Sequence, residues 1–275
     1  MKLFAPAKIN WTLEVLGRRA DGFHELRSWF CKLDLADVLE AELGPSSLTV
    51  KGPFADGVPT DASNLIFKAE EMWREAGLPS LSIAWTLTKN IPHGAGLGGG
   101  SSNAAAAIRG MLKLAPSGSL NGFDFTSIGW EKLGSDLPFF LSPFPVSLQG
   151  GQGEVCLATG ELRKDLILVK PKISLPTPAV YQALRAPSWD ESGKNSSLDL
   201  PNSPGPNHLE EAAFCVEPAL KDFAEGLREV APFQMTGSGS AFFAVCDASE
   251  SAELQENFSS KSSWVHSASI LRGTR

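Results

Sequence analysis

The 275-residue sequence is poor in the features that mark several common classes of protein. Its four cysteines are far apart and form no Cys-x-x-Cys pair, which argues against a disulfide framework or a zinc site. No apolar run approaches the roughly 20 residues that a membrane helix needs. A formal net charge of -7 leaves no basic field for nucleic acid or an anionic membrane. We therefore expect a protein that binds neither.

The N-terminal segment, residues 1–6, also lacks the features of a targeting sequence. It has neither the long apolar core of a secretory signal nor the Arg- and Ser-rich character of a transit peptide. The separated cysteines favour reduced, buried thiols. Together these observations predict a cytoplasmic protein.

What the sequence does hold is a glycine-rich stretch between a predicted strand and a predicted helix. Five glycines fall within the seven residues 94–100, so another molecule can approach the backbone of this loop closely. Ser101 or Ser102 is placed to cap a helix, which the alanine run after Asn103 favours. The unpaired N–H groups at the start of such a helix favour a bound anion. The stretch therefore predicts a phosphate-binding loop rather than a flexible linker or tight turn.

Two polar residues, Lys8 and Asn10, lie at the start of a predicted strand near the N-terminus. Apolar side chains alternate with polar ones from Ile9 to Val15, which predicts a strand with one polar face. Lys8 and Asn10 fall on the same side of that strand, two residues apart. A lysine on a solvated strand face is usually only a solubilising charge, and the alternative is a role in chemistry.

The dipeptide Asp21-Gly22 predicts a turn that presents an aromatic ring beside an imidazole. One interpretation is a hairpin tip with Phe23 packed inward. The other is a platform for a flat ring, with His24 supplying a hydrogen bond.

A lone acidic residue, Asp136, stands between a Gly-Ser pair and the apolar run Leu137-Pro138-Phe139-Phe140. A plain explanation is that Asp136 caps a short helix with Pro138 in its first turn. The sharper one is a partly desolvated carboxylate held rigidly at a domain seam, and one carboxylate can do both.

The order of predicted elements indicates an α+β protein. Short strands at 29–33, 38–43, 48–51 and 81–88 precede the glycine loop, with a helix from Ser63 or Asn64 to Ala76 among them, which is not a regular βαβ repeat. We place a domain boundary near residue 150. Beyond it, 186–206 predicts a surface loop, and the small residues 236–240 either contact phosphate or the first loop, or form a simple hairpin.

Taken in order, these stretches resemble the GHMP kinase superfamily over essentially the full length of the chain. The motifs that carry the resemblance are Pro6-Ala7-Lys8-Ile9-Asn10, Arg19-Ala20-Asp21-Gly22-Phe23-His24-Glu25-Leu26, the loop Pro92 to Asn103, Gly134-Ser135-Asp136-Leu137-Pro138-Phe139-Phe140 and Thr236-Gly237-Ser238-Gly239-Ser240. The resemblance implies an N-terminal domain like ribosomal protein S5 domain 2 over 1–150. It also implies a ferredoxin-like C-terminal domain over 151–275.

The resemblance further implies a kinase that uses ATP and Mg²⁺. Asp136 matches the catalytic base and Lys8 a catalytic lysine beside it, while Ser101 or Ser102 is a candidate ligand for the metal. The residues expected to hold ATP are those of the glycine loop, namely Pro92, His93, Gly94, Ala95, Gly96, Leu97, Gly98, Gly99, Gly100, Ser101, Ser102 and Asn103.

The implied substrate is a methylerythritol linked to cytidine diphosphate, phosphorylated on its 2-hydroxyl for non-mevalonate isoprenoid synthesis. Residues expected to bind it are Asn10, Phe23, His24, Thr177, Tyr181, Gly237, Ser238 and Gly239. Two positions depart from the family pattern, because Phe23 replaces a more usual tyrosine and His208 a more usual aspartate. The alternatives are a kinase of another small alcohol, of the mevalonate or homoserine type, and a nucleotide-binding protein without turnover. A monomer or weak dimer is expected.

Overall fold

The computed structural model describes residues 1–189, 198–259 and 264–273. It divides the chain into two compact units, each assembled from segments distant in sequence. Unit 1 comprises Met1–Ala7, Leu35–Pro92 and Gly98–Pro143, and unit 2 comprises Lys8–Asp34, His93–Leu97 and Phe144–Arg275. The domain boundary near residue 150 stays a prediction. Among the described residues, no helix combines the length and apolar character needed to cross a membrane.

Strands and helices are mixed along the chain, as expected of an α+β protein. The strands are β1 (Lys2–Asn10), β2 (Glu14–Arg18), β3 (His24–Leu43), β4 (Ser47–Lys51), β5 (Ile83–Thr88), β6 (Val146–Gly150), β7 (Val155–Thr159), β8 (Asp165–Lys170), β9 (Gln234–Met235), β10 (Phe242–Val245) and β11 (Trp264–Ser269). The helices are α1 (Leu65–Glu75), α2 (Gly99–Leu114), α3 (Leu137–Leu141), α4 (Thr177–Ala183), α5 (Glu210–Val216), α6 (Pro218–Arg228) and α7 (Ala248–Ser259).

In unit 1, α1 begins and ends where the sequence predicts. The Asn64 side chain accepts a hydrogen bond from the backbone N–H of Ile66, which caps the helix. Gly77 adopts a left-handed φ of 74° just after the last turn, a conformation that glycine tolerates best. In the same unit, β5 pairs antiparallel with the second half of β3 and parallel with β4.

Helix α2 begins earlier than predicted. Gly98 occupies the cap position with a left-handed φ of 71°, and no side chain caps the helix. Ser101 and Ser102 therefore lie inside the first turn, so the prediction that one of them caps α2 is wrong. A glycine takes the cap because only its backbone enters the left-handed region without strain. The first N–H groups of α2 are left without a side-chain cap, which suits an anion-binding terminus.

Two strand predictions are also corrected. The segments 29–33 and 38–43 belong to one continuous strand, β3, and the alternating run from Ile9 to Val15 is split between β1 and β2. The chain leaves β1 after Asn10 because Leu13 bonds elsewhere, donating its N–H to the carbonyl of Pro206. Lys8 is only 4% exposed, so its strand face is not solvated as expected.

Unit 2 contains a four-stranded antiparallel sheet in the order β11-β8-β10-β9. Helices α4, α5 and α6 lie between β8 and β9 in sequence, and α7 connects β10 to β11. This order of strands and helices is the ferredoxin-like arrangement that the resemblance implies. The core of the unit includes Ile167, Leu220 and Phe242, all fully buried. The first half of β3 pairs with β2 and β6 in the same unit.

Candidate functional site

In unit 2, Lys8 and Asn10 lie together at the end of β1. The Lys8 ammonium donates to Asn10 Oδ1 at 2.7 Å and lies 4.8 Å from the centre of the Phe30 ring. Both side chains are almost fully buried. A buried ammonium is costly unless it is paired, so its retention here favours a chemical role over a solubilising one.

Asn10 is held by two hydroxyl groups, one at its carboxamide and one at its backbone N–H. Its Nδ2 donates to Ser28 Oγ at 2.8 Å, and its backbone N–H donates to Thr236 Oγ1 at 2.9 Å. Ser28 in turn donates to the backbone carbonyl of Thr12. Lys8 and Asn10 thus belong to a polar network that joins β1, β3 and the loop after β9.

The small residues 236–240 close the antiparallel hairpin of β9 and β10 and also contact the glycine loop, so these two alternatives hold together. Ser240 donates its N–H to the carbonyl of Gly94, and Ala241 donates to that of Ala95. At Gly96, with a φ of 72°, an added Cβ would lie 2.2 Å from the backbone oxygen of Thr236. The glycine is therefore required both by its backbone conformation and by the close approach of the second loop.

The carboxamide of Asn207 also binds this second loop. Its Nδ2 donates to the carbonyls of Met235 and Gly237, both at 2.8 Å. The neighbouring His208 accepts the N–H of Val15 through Nδ1 at 3.1 Å. His208, which the sequence left unexplained, thus ties the start of β2 to the segment before α5.

The turn at Asp21-Gly22 presents its aromatic residue to solvent. Phe23 is 55% exposed, so the interpretation with Phe23 packed inward is wrong. The His24 ring lies beside Tyr181 with the ring centres 5.4 Å apart. Partial burial, aided by the charge of Arg18, lowers the pKa of His24 below its ordinary value of 6.5. This lowering favours the neutral imidazole, which has one ring nitrogen as donor and the other as acceptor.

Two more predicted residues meet near the second loop. The hydroxyls of Thr177 and Ser238 are 2.8 Å apart, which links the start of α4 to the segment 237–239. Unit 2 thus gathers two groups of the predicted substrate residues, one around Asn10 and Gly237 and one at His24 and Tyr181.

In unit 1, the predicted phosphate site is the start of α2. Ser101 is half-buried, whereas Ser102 is fully buried and its hydroxyl has no hydrogen-bond partner within the described residues. Ser101 is the accessible one of the two, and is therefore the better candidate to ligate a cation. No cluster of three or more His, Cys, Asp or Glu side chains able to hold a metal occurs in the described part of the chain.

Beneath that helix start lies a buried ion pair that the sequence did not reveal. Lys89 Nζ is 2.5 Å from Asp37 Oδ2, and Asn103 Nδ2 donates to the same oxygen at 2.8 Å. Asp37 Oδ1 accepts the backbone N–H groups of Asn90 and Ile91. One carboxylate thus binds the segment before the glycine loop and the helix after it.

Asp136 is half-buried at the start of α3 in unit 1. Asp136 occupies the N-cap position and Pro138 the first turn, as predicted, but the Asp136 side chain makes no capping hydrogen bond, so the carboxylate itself does not cap α3. On α2, the Arg109 side chain donates to the carbonyls of Phe140 and Phe4, which anchors the end of α3. These Arg109 contacts hold the C-terminal end of α3, the helix that begins directly after Asp136.

Reasoning from the sequence missed Ser28, Asp37, Lys89 and Asn207. One of them carries a readable signal, since Asp37 lies on the buried face of β3 that is otherwise formed by the apolar residues Leu35, Leu39 and Ala41. The others are polar residues whose partners lie far away in sequence, so no local pattern marks them.

Comparison with known proteins agrees with these observations. The family model described as "GHMP kinases N terminal domain" matches residues 64–141, and the one described as "GHMP kinases C terminal" matches residues 180–263. The two-domain architecture that the resemblance implies is thereby confirmed.

Two relatives that match over most of the chain share one name. The 4-diphosphocytidyl-2-C-methyl-D-erythritol kinase of Jannaschia sp. (strain CCS1) is 36% identical over 98% of this chain and 97% of its own. That of Protochlamydia amoebophila (strain UWE25) is 36% identical over 89% of this chain and 84% of its own. A crystal structure of 4-(cytidine 5'-diphospho)-2C-methyl-D-erythritol kinase superposes with a TM-score of 0.79 at 32% identity, covering 99% of this chain and 100% of that one.

Proposed function

Since the chain belongs to the 4-diphosphocytidyl-2-C-methyl-D-erythritol kinase family of the GHMP kinases, we propose that it phosphorylates the 2-hydroxyl of 4-(cytidine 5'-diphospho)-2-C-methyl-D-erythritol. ATP supplies the γ-phosphoryl group, and the products are the 2-phosphate and ADP. The observation that carries this proposal is sequence similarity maintained along nearly the whole chain, with both Lys8 and Asp136 present. The reaction belongs to non-mevalonate synthesis of isoprenoid precursors.

In this proposal Asp136 accepts the proton of the attacking hydroxyl. Phosphoryl transfer passes through a loose transition state, so the base acts late and positioning dominates. General-base assistance of this kind contributes about 10²- to 10⁴-fold in rate. Its half-buried position at the start of α3 supports the role, because a base carried on a packed helix start is held near one place.

Lys8 is proposed to offset the charge on the transferring phosphoryl oxygens. Its ammonium is buried and already oriented by Asn10, so little reorganisation is needed when charge develops. A cation fixed in a site of low dielectric acts more strongly than one in water.

ATP is proposed to bind at the glycine loop, with its phosphates on the N–H groups at the start of α2. Mg²⁺ would be held by the phosphates and the hydroxyl of Ser101, and it neutralises phosphate charge when bound. The cytidine is proposed to stack on Phe23 and Tyr181, with His24 as hydrogen-bond partner. Binding energy from the base then orients a hydroxyl remote from it.

A substrate panel tests the proposal. Purified protein is given MgATP with the cytidylated alcohol, mevalonate, homoserine or galactose, and ADP release is measured with ³¹P NMR of the product. Turnover with the cytidylated alcohol alone is expected. Turnover of another alcohol would overturn the substrate assignment, and ATP binding without any turnover would favour a non-catalytic nucleotide-binding protein.

A monomer or weak dimer in the cytoplasm completes the proposal. Sedimentation equilibrium tests the oligomeric state, and a stable higher oligomer would contradict it. Fractionation of cells tests the location.

A further inference from the structure

The orientation of the Asn10 carboxamide is fixed by a chain of hydrogen bonds that can be followed atom by atom. Asn10 is 2% exposed and lies between two groups, Lys8 Nζ at 2.7 Å and Ser28 Oγ at 2.8 Å. Because an ammonium only donates, the carboxamide must turn its oxygen toward Lys8. The reverse orientation would set an NH₂ group against the ammonium.

Ser28 enforces the same orientation from the other side. Its hydroxyl contacts the backbone carbonyl of Thr12, which can only accept, so the serine proton points there. Ser28 Oγ is then an acceptor toward Asn10 and must meet the NH₂ group. The carboxamide oxygen is thereby left facing Lys8.

Thr236 adds a second restraint. Its hydroxyl oxygen accepts the backbone N–H of Asn10 at 2.9 Å and lies 3.5 Å from Asn10 Oδ1. With an acceptor position used by the backbone, its proton is directed toward the carboxamide oxygen. Thr236 itself is held by Asn207, which binds the carbonyls on either side of it.

Bulk water cannot take over these roles in the folded state. Ser28 is 1% exposed and Thr236 is 0% exposed. When one partner of a buried hydrogen bond is removed, the other keeps its full desolvation cost. An Asn10 without Ser28 would therefore rotate or shift in search of another acceptor, and Lys8 would lose its oriented partner.

We propose that Ser28 and Thr236 are positioning residues that set the Lys8 ammonium through the Asn10 carboxamide. The inference rests on the proposed function, in which Lys8 offsets phosphoryl charge. Neither hydroxyl needs to contact a substrate. Their effect is on the geometry of the ammonium, and hence on the chemical step rather than on binding.

The kinetic test compares Ser28→Ala with Ser28→Thr, and Thr236→Val with Thr236→Ser. In Ser28→Ala and Thr236→Val, kcat is expected to fall about ten- to a hundredfold while both KM values stay within about threefold. The conservative variants keep the hydroxyl and should restore kcat to within about threefold of the wild type. In a double-mutant cycle, Ser28→Ala should cost little more once Asn10→Ala is present.

Ser147 provides a matched control. Ser147 is likewise fully buried, and its hydroxyl accepts a hydrogen bond from the carboxamide of Gln149 at 2.6 Å. Unlike the Asn10 carboxamide, the Gln149 carboxamide does not bind Lys8. Ser147→Ala should lower the melting temperature about as much as Ser28→Ala and leave kcat unchanged. Equal losses of kcat in both alanine variants would mean a structural role only.

A second measurement does not depend on turnover. In the wild type, the Asn10 side-chain amide, assigned by its loss in Asn10→Asp, should exchange slowly with solvent. Exchange should accelerate in Ser28→Ala and not in Ser28→Thr. If that pattern holds while no alcohol is phosphorylated, the proposed function fails and the positioning geometry stands. If turnover is normal in Ser28→Ala and Thr236→Val, the positioning proposal is wrong.

Discussion

Asp37 and Lys89 form an ion pair with a separation of 2.5 Å and side-chain exposures of 0% and 4%. The carboxylate also accepts from Asn103 and from the backbone N–H groups of Asn90 and Ile91. The desolvation cost of the pair is therefore offset by a full set of hydrogen bonds. Since these partners flank the glycine loop, the pair sets the geometry at the base of the loop.

Removing one member of this pair should destabilise the protein strongly. Lys89→Met leaves the Asp37 carboxylate buried without a cation, and we expect the free energy of unfolding to fall by about 3–5 kcal/mol. Urea denaturation measures the change.

The control for Lys89 is an exposed lysine in the same unit. Lys51 lies 3.7 Å from Glu40, and both side chains are about half exposed, at 56% and 44%. Lys51→Met should change the unfolding free energy by about 1 kcal/mol or less. Similar losses of unfolding free energy in Lys89→Met and Lys51→Met would show that the buried ion pair stabilises the protein no more than the exposed one.

Gly96→Ala should disrupt the contact between the glycine loop and the loop after β9. The added Cβ would approach the Thr236 oxygen to 2.2 Å, besides straining a left-handed backbone. Gly77 has a similar φ of 74° and open space around its Cβ position, so Gly77→Ala isolates the backbone strain. We expect about 1–2 kcal/mol of destabilisation for Gly77→Ala and clearly more for Gly96→Ala, measured by urea denaturation. Equal effects would contradict the close approach.

Acid should weaken binding of the cytidylated substrate through His24. Its pKa lies below 6.5 because burial, and then the Arg18 charge, disfavour the imidazolium. The lowered pKa moves protonation of the ring to more acid solution, and the protonated ring loses its acceptor nitrogen. At saturating MgATP, kcat/KM for this substrate should reach a plateau toward neutral pH and fall in acid solution, with its midpoint below that of an unperturbed imidazole.

His24→Asn separates this effect from other titrations. The variant should have a lower kcat/KM at neutral pH and a flatter acid limb than the wild type. An identical acid limb in both proteins would assign the pH dependence to another group.

Asp136→Asn should abolish most turnover with the fold intact. The amide keeps the size of the side chain but cannot accept the hydroxyl proton as a carboxylate does, so kcat should fall about 10²- to 10⁴-fold. Stopped-flow or coupled ADP assays measure the rate, and thermal unfolding controls for stability. Turnover near the wild-type rate would remove Asp136 as the base.

Local chemistry explains which parts of the fold the sequence predicts. Both ends of helix α1 are predictable because their signals are local: Asn64 caps its start, and Gly77 follows its last turn. The sequence predicts the wrong start for α2 because serine is usually a better cap than glycine. In the structure, the left-handed backbone conformation at the cap position favours Gly98. Strand β3 was divided because the polar residues Asp34 and Asp37 interrupt its apolar pattern, and one of them is buried by distant partners.

In the candidate site, too, the sequence predicts local contacts and not those between distant residues. Lys8 and Asn10 are two residues apart on one strand, so the period of the strand alone predicts that they meet. Ser28, Thr236 and Asn207 join them only through tertiary structure, at separations that no local period encodes. Proton directions in such a network become readable once each donor and acceptor has a partner in space.

The contact between His24 and Tyr181 has a practical consequence, because the sequence contains a single tyrosine. Biosynthetic replacement with 3-fluorotyrosine would put one fluorine label in the whole chain, beside the imidazole. A ¹⁹F spectrum would then show one resonance, whose shift follows protonation of His24 and the arrival of a pyrimidine ring. Under the proposed function, this single label would report nucleoside binding directly.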